Sequence, residues 1–121
     1  MDRWSALYAF WSGFGIPAYE ENSVPTGSLR PNYPYITYEA MATPWNGDVL
    51  MSASVWTRST SWEQADALAD AVEAKIKDGY ILPYDGGIIY ITANDTFAKH
   101  LSEPDDDMVK RVLLGPRFQF H

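Results

Sequence analysis

The sequence predicts an α+β fold, a mostly antiparallel β-sheet with two main helices packed on it. Three observations lead there. Val49, Met51, Ala53 and Val55 alternate with Leu50, Ser52, Ser54 and Trp56, the period of two of a strand with one face toward a core. Trp62 to Lys77 carries Trp62, Ala65, Leu68, Ala69, Val72 and Ile76 as one apolar stripe at helical spacing. Met108, Val112, Leu114, Phe118 and Phe120 share one parity, as in a long C-terminal strand. The elements come in the order helix, two strands, helix, two strands, strand, which is an α+β layout.

The first helix is expected from Asp2 to Phe14. Asp2 can cap it, Trp4, Leu7, Tyr8 and Trp11 recur on one face, and Gly13, Gly15 and Pro17 end it. Residues 21–34 read as a flexible loop, because Pro25, Gly27, Pro31 and Pro34 break every periodicity. Tyr35 to Ala42 is strand-like, and the Asn46-Gly47 pair after Pro44 and Trp45 is a turn signal. The strands at 35–42 and 49–56 should form an antiparallel hairpin. A capping box, Ser61 with Gln64 or Thr60 with Glu63, opens the second helix. Lys75, Lys77 and Gly79 close it, the lysines suiting the negative end of the helix dipole. Tyr80–Tyr84 and Ile88–Thr92 flank Asp85-Gly86-Gly87 as a second hairpin. Asn94 to Leu101 reads as a helical turn capped by Asn94 or Asp95, and Gly115-Pro116 as a bulge or bend in the last strand.

At 121 residues the chain fits a single domain, 1–121. Hydrophobic residues at 46% and charged residues at 21% are a normal globular balance. The net charge of −7, with only nine Lys and Arg, argues against a surface built to grip phosphates. An acidic protein can still line a channel that DNA slides through. Without cysteine there is no disulfide, thiolate metal site or thiol nucleophile. No signal peptide and no apolar run of about 18 residues is visible, so a soluble protein made in the cytoplasm is expected. Five Trp, eight Tyr and five Phe are many for this length; they can all serve a dense core, or a surplus can serve an interface.

A search for site chemistry selects no catalytic residue. His100 and His121 are the possible imidazole bases, and no Gly-x-Ser-x-Gly elbow accompanies them. Asp105, Asp106 and Asp107 are the most tempting acidic cluster. They lack calcium-loop spacing and a second acidic motif, so a solvated loop is the better reading, or one facing a lumen or a partner. No catalytic, cofactor-binding or metal-binding residue is assigned, and no cofactor is expected. Trp45 at a hairpin tip, Trp56 on the parity opposite Val55, and Arg58 are the candidate interface residues.

Pro34-Tyr35-Ile36-Thr37-Tyr38, Val49 to Trp56, a Ser/Thr-rich step and the helix from Glu63 to Ala74 form a recognisable unit. It resembles the tail-terminator and tail-completion proteins of long-tailed bacteriophages and prophages, most of all the small versions from phages of Gram-positive bacteria. The N-terminal helix, Phe97-Ala98, Ser102-Glu103-Pro104-Asp105-Asp106 and the closing strand extend the resemblance over most of the chain. It implies an α+β sandwich in a homo-oligomeric ring, usually a hexamer, at the head-proximal end of the tail in the virion. Such a ring stops polymerisation of the tail tube protein and meets head–tail connector proteins. DNA passes through its lumen without specific binding, and no catalytic residues carry over. The alternatives are another neck component, a stopper or adaptor, and a small metal- or ligand-binding protein using the acidic cluster.

Overall fold

The computed structural model describes residues 1–42 and 47–121. The predicted tip residue Trp45, with Pro44 and Asn46 of the expected turn, lies outside the described residues.

Helix α1 spans Arg3–Ser12, and the Asp2 carboxylate accepts the Ser5 N–H at 2.8 Å. Its buried face differs from the predicted stripe. Ala6, Leu7, Phe10 and Trp11 turn inward, while Trp4 and Tyr8 stand 46% and 53% exposed. Apolar residues run almost all round this helix, so spacing alone does not choose a face, and contact with the sheet does. Trp11 stacks on Tyr38 with centroids 6.1 Å apart, and Phe10 meets Tyr80 at 5.4 Å.

Among the described residues the sheet has seven strands: β1 (Ala18–Glu20), β2 (Tyr35–Tyr38), β3 (Asp48–Leu50), β4 (Ala53–Arg58), β5 (Tyr80–Tyr84), β6 (Gly87–Ser102) and β7 (Val109–Phe120). Their order is β1-β2-β4-β7-β6-β5, with β3 also paired to β7. All pairs are antiparallel except β1 with β2. The strand β1 has no counterpart among the predicted elements. Between it and β2, the expected loop carries two 3₁₀ turns, at Glu21–Ser23 and Gly27–Leu29.

The predicted first hairpin is realised in part. β2 pairs β4 from Tyr35↔Trp56 to Tyr38↔Ala53, but Asp48–Leu50 leaves to pair β7. β3 and β4 meet β7 in one common register, Val49↔Phe118 and Val55↔Val112. They are one strand interrupted at Met51-Ser52. The gap falls opposite Gly115 and Pro116, and proline has no N–H to donate. Val49 thereby packs beside the core, next to Phe118.

Helix α2 runs Glu63–Ile76 and buries Ala65, Ala69, Val72 and Ile76 as expected, with Trp62 and Leu68 against the same core. The predicted capping box is absent. Ser61 Oγ accepts the Glu63 N–H at 3.1 Å instead, and no side chain caps from the N-cap position itself. α2 lies over β4, β6 and β7, the middle of the sheet, whereas α1 touches β1, β2 and β5 and so bridges the two ends of a curled sheet.

The helical turn expected at Asn94–Leu101 is corrected to strand. These residues belong to β6, which bonds β7 on both sides of an irregularity between Ala93 and Ala98, with Asn94 to Phe97 opposite Gly115. Asn94 and Asp95 are capping residues only locally, and pairing with the long β7 overrides them. On β7, Val112, Leu114, Phe118 and Phe120 share the buried parity, while Val109 rather than Met108 is buried at the near end.

Candidate interface on the outer face of the sheet

Strand alternation sends Val55 and Thr57 toward the helices and Trp56 and Arg58 to the opposite, outer face. The Trp56 ring lies parallel to that of Tyr35, its cross-strand partner, at 6.1 Å and 13°. Its Nε1 donates to Thr37 Oγ1 at 2.9 Å. The Arg111 guanidinium covers it at 4.6 Å and is itself aimed by donating to Ser54 Oγ at 3.0 Å. Tyr35 meets Tyr33 at 5.4 Å and Tyr19 edge-on at 6.1 Å. Burial raises the Tyr35 phenol pKa, with neighbouring Tyr33 and Glu103 adding to it. An aromatic and guanidinium stripe therefore crosses β1, β2, β4 and β7 on the face without helices.

Arg58 and the acidic loop, separate candidates in the sequence, come together here. Arg58 Nε donates to Asp106 Oδ2 at 3.1 Å. Asp106 Oδ1 accepts the Met108 N–H at 3.0 Å, closing a turn. That N–H first, and the Arg58 hydrogen bond second, hold the Asp106 carboxyl below its usual range. Asp105 and Asp107 are exposed. A polar cleft of about 370 Å³ opens between this ion pair and the 21–34 loop, lined also by Arg30, Tyr33 and Tyr35. Tyr19, Tyr33, Tyr35 and Arg111 were not singled out from sequence. Pairing the predicted strands opposite one another puts Tyr35 beside Trp56, the signal that could have found them.

His100 lies on β6 and stacks on Trp62 at 3.8 Å and 3°. Its Nε2 is 2.6 Å from Asp66 Oδ1, which pins the start of α2 to the sheet. Both side chains remain about half exposed, 48% and 47%. Lys110 places its ammonium 5.6 Å from the Trp62 ring. Among the described residues no three His, Asp or Glu side chains converge to hold a metal ion, and no helix is long and apolar enough to cross a membrane. The chain matches no family model, and no curated protein is significantly similar to it in sequence.

Proposed function

We propose that the chain is a structural subunit of the tail-terminator or tail-completion class, building a closed ring that caps a phage tail tube and joins it to the head. The observation that carries this reading is the presence of two unlike aromatic patches in one small chain. One is the outer-face stripe of Tyr35, Trp56 and Arg111, and the other is the solvent side of α1 with Trp4 and Tyr8. A head-to-tail ring needs two different surfaces that meet each other, and a two-fold dimer needs one. Trp, Tyr and Arg are the side chains that dominate contact energies. The −7 charge suits a lumen through which DNA slides.

The resemblance of the Pro34–Ala74 unit supplies the viral setting, with the tail tube protein and connector proteins as partners. Mass measurement by light scattering, with negative-stain images of the chain alone and mixed with tail tubes, tests the reading. A ring-sized oligomer, or a ring seated on tube ends, is expected. Trp56→Ala and Arg58→Ala should weaken it at least tenfold in concentration dependence, about 1.4 kcal/mol per tenfold. A chain that stays monomeric at high concentration and leaves tube length unchanged defeats the proposal.

A further inference from the structure

The solvent side of α1 is the part of the fold that internal packing does not use. Trp4 and Tyr8, about one helical turn apart, are half exposed, while Leu7, Phe10 and Trp11 supply the helix's contact with the core. They form one wall of a groove of about 430 Å³ whose other wall includes Ala18, Glu20 and Tyr38. Two phenol rings and an indole thus line the groove together with one carboxylate. Burial raises the Tyr38 pKa, and the Glu20 charge and the Tyr8 phenol push it the same way, so these groups lie within electrostatic reach of one another.

Glu20 accepts hydrogen bonds from Asn22 N at 3.0 Å, Asn22 Nδ2 at 3.0 Å and Ser23 Oγ at 3.3 Å. All three donors are neutral, and Glu20 makes no ion pair among the described residues. Aromatic faces carry negative charge density, so three rings and an unneutralised carboxylate make a groove complementary to a cation. Arg3, 5.2 Å from the Trp4 ring, already uses that indole as a cation platform.

We propose that this groove is the docking site for a basic side chain, arginine or lysine, presented by a partner polypeptide. Trp4 and Tyr8 receive the cation through their faces, and Glu20 supplies the countercharge. The openness of the site selects a side chain over a free cation. With Trp4 and Tyr8 half exposed, a small cation keeps much of its water there, whereas a residue fixed on a partner surface shares its ordering cost with the rest of the contact. The acidic chain attracts a basic partner from a distance as well. The inference is independent of the ring: a chain that stays monomeric and still takes the cation removes the ring reading and leaves this one standing.

The test titrates the intact chain with two blocked Gly/Ser peptides that carry one central residue, arginine in one and its neutral isostere citrulline in the other. Binding is read by NMR shifts at low salt. The arginine peptide should bind about tenfold more tightly than the citrulline peptide, shifting Trp4 and Tyr8 resonances first. Glu20→Gln, which removes the charge but keeps one oxygen to accept from Asn22 N and Ser23 Oγ, and Tyr8→Ala, on an exposed face, should each weaken it about fivefold. Equal binding of the two peptides makes the groove merely apolar and overturns the proposal. So does binding that survives Glu20→Gln together with Tyr8→Ala, or no binding of either peptide.

Discussion

Thr57 sits between the two candidate interface residues Trp56 and Arg58 but points the other way, and it is 0% exposed. Its hydroxyl donates to the Lys110 carbonyl at 3.3 Å, the long end of the range. Two substitutions separate what its parts contribute. Thr57→Val removes a hydrogen bond with a net worth of about 0.5–1.5 kcal/mol. It also buries a methyl in place of a hydroxyl, returning about 0.8 kcal/mol. The balance is within about 0.7 kcal/mol of zero. Thr57→Ser keeps the hydroxyl, forfeits the buried methyl and leaves a small void, for about 1–1.5 kcal/mol. At roughly 4 °C per kcal/mol for a domain of this size, the serine variant should melt about 4–6 °C lower and the valine variant within about 3 °C of the parent. Urea unfolding followed by tryptophan fluorescence, with unchanged m, gives the free energies directly. If valine costs more than serine, the hydroxyl is the sole partner of a buried carbonyl, and the reasoning from methyl burial fails.

Gly79 ends α2 at φ 88°, and a Cβ there would fall 2.7 Å from two Tyr90 ring carbons and closer still to its hydroxyl, whereas Gly15 at φ 85° has open space. Gly15→Ala should cost about 1 kcal/mol from left-handed strain alone. Gly79→Ala should cost about 2–3 kcal/mol in thermal melts, with the excess vanishing in a Tyr90→Ala background. Lys75 holds its ammonium 4.8–5.2 Å from the rings of Phe10, Phe14 and Tyr80. Lys75→Met keeps the stem, loses the cation and should cost about 0.5–1 kcal/mol by urea titration. Asp106 has its pKa lowered in the folded state, so the stability it contributes is present above about pH 4 and is lost as pH falls through the folded value. Asp106→Asn should lower stability at pH 7 and flatten the acid-unfolding curve below about pH 4, read by circular dichroism.

The legible parts of the fold are those whose signal is local. α2 carries its stripe, its lysines and its terminal glycine within one segment, and residues 112–120 carry their own parity. One reading fails, and two features go unread, because the deciding partner is distant in sequence. Asn94 and Asp95 look like caps until β7 lies alongside. The Val49–Trp56 alternation is unbroken until Pro116 sits opposite its middle. The short strand β1 exists through its parallel neighbour β2. The same holds for the outer face: Trp56, Arg58 and Asp106 stand out singly, but that Arg58 clasps Asp106, and that Tyr35 and Arg111 enclose Trp56, depends on register. Trp4 and Tyr8 fail differently, because α1 is apolar on too many sides for spacing to say which face a sheet will take.

The position of β7 between β4 and β6 has a consequence for how the chain is made. The strand that joins the two halves of the sheet is the last of the seven to leave the ribosome. Until residues 109–120 emerge, β4 and β6 both present unpaired edges, and the core has neither Phe118 nor Phe120. A nascent chain of this kind stays open and then closes in one late event. Products cut short before that point are ready substrates for proteases and chaperones.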